Sequence, residues 1–166
     1  SKDMALRVYT TRLLGRNPEL VLHGGGNTSV KTTVKDVDGK NYEVLCVKGS
    51  GWDMAEIEPA GLPAVKLGPL LAFKNKKYLP DEDMVAYQKK NLIDIKSPNP
   101  SVETFLHAFL PFKFVDHTHS DAIMNVTNRP NGVQFCKKIF GKKVSIVPYA
   151  MPGFGLAKKI QEVYSK

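Results

Sequence analysis

The chain has 166 residues, 42% hydrophobic and 9% aromatic, which is enough for one globular domain with a core. It has no apolar run of membrane-spanning length and no signal-peptide stretch at its N-terminus, so we expect a cytoplasmic protein that contacts no membrane. Its net charge of +8 comes mostly from scattered lysines, which argues against nucleic acid as a partner. Cys46 and Cys136 form no Cys-x-x-Cys motif, and we expect both to be reduced and buried.

The predicted elements mix helices and strands along the whole chain. Apolar residues at helical spacing predict a first helix over residues 4–14, before Asn17-Pro18. An Asp38-Gly39 turn signal predicts a hairpin of strands 30–37 and 42–47. Further helices are predicted over residues 61–73, 81–92, 101–109, 121–126, 133–140 and 154–164, and further strands over 114–119 and 144–149. Since no repeat or linker divides the sequence, we predict one α/β layered domain over residues 1–166.

Two of the four histidines, His117 and His119, lie one residue apart in a short apolar run. Side chains at i and i+2 of a strand leave the same face of a sheet, so both imidazoles would point at one spot. Neutral imidazole is a common zinc ligand, although an isolated His-x-His more often forms only local hydrogen bonds. This pair is not isolated, because Glu103 and His107 share one face of the preceding predicted helix. The spacing therefore predicts a metal site with a carboxylate beside it.

Two glycine-rich loops offer donors for an anion. Residues 24–29 contain three consecutive glycines followed by Asn27, Thr28 and Ser29, and glycine N–H groups are not shielded by a Cβ. The alternative for this loop is a flexible turn. Residues 49–51 form a second such cluster, and Ser101 adds a hydroxyl. The dinucleotide-binding and P-loop glycine patterns are absent. A phosphate and a metal in one cleft favour chemistry on a phosphorylated sugar or a similar small compound.

Four segments in this order resemble the class II aldolase/adducin family, which includes the L-fuculose-1-phosphate and L-rhamnulose-1-phosphate aldolases. They are His23-Gly24-Gly25-Gly26-Asn27-Thr28-Ser29, Lys48-Gly49-Ser50-Gly51, Ser101-Val102-Glu103 and His117-Thr118-His119. Within the family, the chain most resembles the N-terminal aldolase portion of bifunctional rhamnulose-1-phosphate aldolase/short-chain dehydrogenases, over essentially its whole length. The resemblance implies a three-layer α/β/α fold with a central mixed, largely antiparallel sheet. It also implies a homotetramer with each active site near a subunit interface.

The resemblance assigns a role to each matching residue. His117 and His119 would bind a divalent metal, zinc being the first expectation, and Glu103 would be the catalytic acid/base. The substrate phosphate would be bound by residues at the matching positions of the two loops and the serine motif: Gly26, Asn27, Ser50, Gly51 and Ser101. The implied reaction is aldol cleavage of a phosphorylated ketose to dihydroxyacetone phosphate and an aldehyde, with the metal acting as a Lewis acid on the ketose oxygens.

Two features depart from the family pattern. Val102 stands where fuculose-phosphate aldolases have a second phosphate-binding serine. The family's third zinc histidine has no counterpart, so we expect the domain to be incomplete at its C-terminus, the fragment itself to be a poor enzyme, and His23 and His107 to be structural. The alternatives are a metal-dependent sugar-phosphate dehydratase or isomerase of the same family, and a non-catalytic adducin-like interaction module. The intact pair of His117 and His119 argues against the last.

Overall fold

The computed structural model describes residues 1–165, and Lys166, the last residue of the predicted domain, lies outside them. In chain order the elements are α1 (Lys2–Gly15), β1 (Asn27–Lys35), β2 (Asn41–Val47), β3 (Ala64–Lys66), α2 (Leu67–Leu71), α3 (Asp81–Lys90), α4 (Thr104–Phe109), β4 (Phe114–His117), α5 (Asp121–Thr127), α6 (Gly132–Phe140) and α7 (Phe154–Tyr164). Two short 3-10 helices lie at Pro59–Gly61 and Ala72–Asn75. Within residues 1–165, no helix is both long and apolar enough to cross a bilayer.

The four strands form one sheet in the order β3-β2-β1-β4, and each of their pairings is antiparallel. The β1–β2 hairpin turns at the predicted Asp38-Gly39, where Gly39 has a φ of +79° that glycine adopts without steric cost. On the other side of β1, Asn27 lies directly opposite His117 of β4. This register sets two predicted site residues side by side at one end of the sheet.

Hydrophobic side chains cover both faces of the sheet. Because successive strand residues face opposite sides, Leu45 of β2 joins one core and its neighbour Val44 joins the other. The first core packs α2, α3, α4 and α7 on the sheet, with Phe105 and Phe154 in edge contact at a ring separation of 5.3 Å. The second core lies under α1. The predicted three-layer α/β/α arrangement is therefore confirmed, with a sheet that is antiparallel in the part of the chain described.

Buried polar contacts attach α1 to the sheet, near the end of β1 at which Asn27 lies. The guanidinium of Arg7, which is 1% exposed, pairs with Asp116 of β4 at 2.6 Å and donates to the carbonyl of Ser29 in β1 at 3.2 Å. Burial lowers the pKa of Arg7, and the charge of Asp116 opposes that shift. The hydroxyls of Thr11 and Thr28 share a further hydrogen bond of 2.6 Å. These contacts fix β1 and β4 where the predicted site residues lie.

Several predicted boundaries are wrong. The helix predicted over residues 61–73 is instead a 3-10 turn, β3, α2 and another 3-10 turn, because the buried Val65 pairs with Leu45 in the sheet. Residues 144–149 were predicted as a strand but have no strand conformation. The helix predicted from Ser101 begins at Thr104, since Ser101 forms a turn before it. The predicted strand through His119 ends at His117.

Candidate functional site

A cleft of about 290 Å³ opens where β1 and β4 meet. Its walls come from the glycine loop before β1, the loop after β2, the turn before α4 and the end of β4. The lining residues are Gly24, Gly25, Gly26, Asn27, Lys48, Gly49, Ser50, Gly51, Ser101, Val102, Glu103, His117, His119 and Pro152. Every residue that the sequence predicted for the site therefore lies at this one cleft.

The first glycine loop passes close to the end of β4. Gly26 has a φ of +67°, and a Cβ there would lie 2.7 Å from the carbonyl oxygen of His117. A Cβ on Gly25 would lie 3.1 Å from Nδ1 of His119. A larger residue at Gly26 would be strained and would clash with backbone. The rings of His117 and His119 are 4.8 Å apart between centroids, so the imidazoles converge although β4 ends between them.

Glu103 lies between Asn27 and His117. Its Oε2 accepts a hydrogen bond of 2.6 Å from Nδ2 of Asn27 and lies 2.9 Å from Nδ1 of His117. Burial raises the pKa of this carboxyl, but the contacts with His117 and Asn27 outweigh burial and hold the pKa below its usual range. Glu103 is therefore a buried carboxylate that is ionised at neutral pH. Such a group can act as a base.

Nδ1 of His117 is buried without a hydrogen-bond partner among the described residues, since its short contact with Glu103 lacks hydrogen-bond geometry. An imidazole nitrogen and a carboxylate oxygen at this distance call for a proton or cation beside them. Together with His119 they supply the donor types that zinc prefers, so the residues fit a divalent metal in chemistry. Within residues 1–165, however, no three His, Cys, Asp or Glu side chains form a group that could hold a metal ion. Glu103, His117 and His119 therefore fit a divalent metal only as an incomplete set of ligands.

His107 of α4 is fully buried and orients Asn27. Its Nε2 contacts the amide oxygen of Asn27, and its Nδ1 lies 2.8 Å from the hydroxyl of Ser29. Because an amide oxygen only accepts, Nε2 carries the proton and Nδ1 accepts from Ser29. The amide nitrogen of Asn27 is thereby directed to Glu103 and to the hydroxyl oxygen of Ser101, at 3.0 Å. Burial lowers the pKa of His107 to about 3, so this histidine is neutral.

The predicted phosphate-binding residues differ in what they can offer. Ser50 already donates its backbone N–H to Asn99 at 2.8 Å, which leaves its hydroxyl. The hydroxyl oxygen of Ser101 accepts from the backbone N–H of Glu103 at 3.2 Å, so its own proton is available. In the described chain, the backbone N–H groups of Gly26 and Gly51 have no partner. Free N–H and hydroxyl donors of this kind suit an anion.

Lys48 is a cleft residue that the sequence interpretation missed. It is 5% exposed, and its Nζ donates to the carbonyl of Gly24 at 3.1 Å. Its backbone is fixed on both sides, because its N–H bonds to Thr28 and its carbonyl accepts from Ser101. The available signal was its position directly before the second glycine loop.

Comparison with known proteins decides the family. Residues 5–166 match the family profile described as "Class II Aldolase and Adducin N-terminal domain". The chain belongs to this family. The family and the fold that the motifs predicted are thus both confirmed.

Two family relatives are similar over nearly the whole chain. The "Uncharacterized oxidoreductase YuxG" of Bacillus subtilis (strain 168) is 46% identical over 155 residues, which are 93% of this chain and 22% of that protein. A solved N-terminal class II aldolase domain of a conserved protein from Thermoplasma acidophilum is 46% identical with a TM-score of 0.90, over 96% of this chain and 74% of that chain. The chain thus spans about a fifth of the first relative, whose name and length agree with the predicted resemblance to aldolase–dehydrogenase proteins.

Proposed function

We propose that this domain catalyses metal-dependent aldol cleavage of a ketose 1-phosphate of the rhamnulose or fuculose type, giving dihydroxyacetone phosphate and an aldehyde. The observation that carries this proposal is the meeting of Glu103, His117, His119 and two glycine loops in one cleft. Family membership supports aldolase chemistry at a coarse level. A buried ionised carboxylate beside paired imidazoles favours an enzyme over an interaction module. Burying a charge costs folding free energy, and an interaction module gains no catalysis in return.

Each group of residues in the cleft has a different role in the proposed reaction. A divalent metal at His117 and His119 would supply Lewis-acid stabilisation of negative charge on the ketose oxygens. Glu103 takes up the proton of the C4 hydroxyl as the C3–C4 bond breaks and its electrons pass to C3, and it returns that proton to C3 of the dihydroxyacetone phosphate product. Asn27 keeps the carboxylate in place through its 2.6 Å hydrogen bond. The two glycine loops and Ser101 hold the phosphate.

Replacing Glu103 with Gln in the full-length protein tests the acid/base role. Gln keeps the size of the side chain and an oxygen that can accept from Asn27, but it does not titrate. We expect kcat for release of dihydroxyacetone phosphate to fall about 10²- to 10⁴-fold, because general acid/base groups contribute that much. Binding of dihydroxyacetone phosphate, measured by calorimetry, should change little.

The matched control is Glu162→Gln, since Glu162 is an exposed carboxylate of α7. Its kcat should equal that of the unmodified protein. Near-normal turnover by Glu103→Gln would remove Glu103 from the mechanism. Mass analysis of the products separates the alternatives, because a dehydratase releases water from an intact carbon chain and an isomerase changes no mass.

Metal binding is tested by replacing His117 and His119 with alanine together. We expect the double variant to lose bound zinc, measured as metal content by mass spectrometry after dialysis, because two imidazoles are removed from the donor set. The control His23→Ala changes an exposed histidine outside the cleft and should retain the metal. Unchanged metal content in the double variant would contradict the assignment.

We also propose that residues 1–166 act as one domain of a cytoplasmic homotetramer. Family resemblance supports this, since a class II aldolase site near a subunit interface needs a neighbouring copy. Light scattering of the purified protein tests it. A monomer at micromolar concentration that is fully active would contradict it.

A further inference from the structure

Three side chains on one face of β1 hold His107. Residues 27, 29 and 31 alternate along the strand, so they face the same side of the sheet. Asn27 and Ser29 contact the ring of His107, at Nε2 and at Nδ1. Lys31 instead donates from Nζ to the backbone carbonyl of His107 at 2.9 Å. Strand β1 therefore fixes both the ring and the backbone of this residue of α4.

Lys31 replaces a backbone donor that the chain lacks. In a continuous helix the carbonyl of His107 would accept from the N–H of residue 111, but that residue is Pro111, which has no N–H. The ammonium of Lys31 also donates to the carbonyls of Leu110 at 2.7 Å and Phe112 at 2.8 Å. Its three N–H groups therefore satisfy three carbonyls, at the end of α4 and in the connection that follows.

The positive charge of Lys31 suits this position. Helix α4 has only six residues, and the carbonyls at a helix end carry a partial negative charge that a cation stabilises. Burial and the charge of Lys74 lower the pKa of Lys31 to about 8, so most of the side chain is still protonated at pH 7. In the described part of the chain Lys31 forms no salt bridge. Its charge is therefore matched by carbonyl oxygens and not by a carboxylate.

Lys31 joins the three elements that carry the predicted site. Its backbone N–H donates to the carbonyl of Lys113 at 2.8 Å, where the pairing of β1 with β4 begins. Its side chain holds the end of α4, and Glu103 lies directly before that helix. His117 is the last residue of β4. A displacement of α4 from β1 would therefore change the 2.9 Å separation between Oε2 of Glu103 and Nδ1 of His117.

We propose that Lys31 is a positioning residue for the cleft: its ammonium holds the end of α4 and the connection to β4 against β1, and so keeps Glu103 beside His117. The proposal rests on the proposed function for the chemistry that this geometry serves. It goes beyond it by assigning a role in that chemistry to a residue that does not line the cleft.

The test compares kcat with KM for cleavage of L-rhamnulose 1-phosphate by the full-length protein. Lys31→Met keeps the length of the side chain and removes its charge and its donors. We expect kcat to fall about 10- to 100-fold, because a small displacement of a catalytic group costs that much, and KM to change little. Lys31→Arg keeps the charge and several donors, so it should recover most of kcat. An unchanged kcat in folded Lys31→Met, or no recovery in folded Lys31→Arg, would overturn the proposal.

Lys158→Met is the matched control, because it removes another partly buried lysine that donates to a backbone carbonyl, that of Lys74. Lys158 lies on α7 and does not line the cleft. Its loss should lower the free energy of unfolding and leave kcat unchanged. A fall in kcat as large as that of Lys31→Met would overturn the proposal, because loss of stability alone would then account for both.

An NMR measurement separates this proposal from the proposed function. With ¹⁵N-labelled histidine, the ring signals of His107 and His117 should shift in Lys31→Met and return in Lys31→Arg, while those of the exposed His23 stay in place. The measurement needs no turnover, so these shifts in a protein that cleaves no ketose phosphate would contradict the proposed function and leave this proposal standing. Unmoved signals of His107 and His117 in Lys31→Met would overturn the proposal whatever the activity.

The unmodified protein decides the matter if Lys31→Met does not fold. With ¹⁵N-labelled lysine, an ammonium whose three protons are bonded to carbonyls should exchange them slowly enough to give an NMR signal at about pH 6, whereas the ammonium groups of exposed lysines should not. Lys31→Arg identifies the signal by removing it. Absence of an ammonium signal for Lys31 would overturn the proposal.

Discussion

One tautomer of His107 determines which way the amide of Asn27 points. Were Nδ1 of this ring to carry the proton, Nε2 would face the amide oxygen of Asn27 as a second acceptor, and the amide would have to turn over. The nitrogen of Asn27 would then no longer meet Glu103. The hydroxyl of Ser29 donates to Nδ1 of His107 and thereby helps to orient the amide of Asn27 on the other side of the ring.

His107→Asn should destabilise the protein. The shorter amide cannot reach both partners, so a hydrogen-bonding group of Ser29 or Asn27 becomes buried and unsatisfied. We expect the free energy of unfolding in urea to fall by about 1–3 kcal/mol for that loss. His23→Asn is the matched control, because His23 is exposed and has a φ of +51° that Asn tolerates. Equal stability of the two variants would contradict the structural role of His107.

The same residue should make stability depend on pH. Burial lowers the pKa of folded His107 to about 3 from an ordinary 6.5; Glu103 opposes this, and His117, Lys31 and Arg7 reinforce it. Between these values the unfolded chain binds a proton that the folded chain does not. The contribution of His107 to stability is therefore complete above pH 6.5 and is lost as pH falls toward 3.

That loss has a measurable slope. Below its unfolded pKa, His107 should lower the free energy of unfolding by up to about 1.4 kcal/mol per pH unit. Urea unfolding of the unmodified protein and of His107→Asn between pH 7.5 and 5 should show the shallower slope in the variant. Parallel slopes would mean that His107 binds a proton equally in the folded and the unfolded protein, which contradicts its lowered pKa.

At the scale of elements, α1 forms two ion pairs of different burial, one with β4 and one with Lys113, the residue before β4. Arg7 and Asp116 pair at 2.6 Å with side-chain exposures of 1% and 48%, whereas Lys113 and Asp3 pair at 2.9 Å with exposures of 54% and 30%. Water screens the second pair more strongly, and exposed pairs contribute about 0.2–1 kcal/mol.

Double-mutant cycles should separate the two pairs. We expect a coupling free energy of about 1–3 kcal/mol between Arg7→Met and Asp116→Asn, since water screens the buried guanidinium little, although it also donates to Thr10, Thr11 and Ser29. The cycle of Lys113→Met with Asp3→Asn should give less than about 1 kcal/mol. Unfolding in urea at low and high salt measures both, and only the second coupling should fall clearly with salt. A larger coupling for Lys113 with Asp3 would contradict this ranking.

Local sequence patterns were sufficient for the elements that carry their own signals. Helices α1, α3, α6 and α7 and the β1–β2 hairpin were predicted because apolar spacing, acidic first turns and Asp38-Gly39 are local. Strand β3 was missed because it has three residues and forms only through pairing with β2. Residues 144–149 have strand-like composition, but among the described residues no strand pairs with them. Strand pairing depends on residues far apart in the sequence, so a single segment does not predict it.

The site shows the same division between local and non-local information. Its motif residues were predicted because each segment is recognisable alone, and the fold brings them to one cleft. Lys48 and His107 were not predicted as partners of that cleft. Their importance depends on where long side chains end, at Gly24 for one and at Asn27 for the other. Spacing along the chain does not encode those contacts.

At the scale of the molecule, packing is uneven. Strand β1 begins with four buried residues, whereas only Gly132 and Cys136 are buried between residues 121 and 149. Ile123, Val133 and Ile139 on α5 and α6 are 44%, 51% and 55% exposed. Segments with few buried apolar contacts open at low free energy.

Amide hydrogen exchange should follow this difference. In the 166-residue chain we expect amides of α5 and α6 to exchange at least about tenfold faster than those of β1, β2 and α4, because their opening breaks less packing. Mass spectrometry of exchange at pH 7 with peptide resolution measures this. Uniform protection across the chain would contradict it.

The pairing of Asn27 with His117 makes strand register a determinant of chemistry. Side chains alternate along β4, so a shift of one residue in its pairing with β1 would turn His117 away and bring a neighbour opposite Asn27. An insertion in the connection at residues 110–113 can be absorbed by that connection, whereas an insertion inside β4 moves the pairing. When related sequences are searched for functional sites, an uninterrupted Phe114–His117 segment is thus as informative as the histidines themselves.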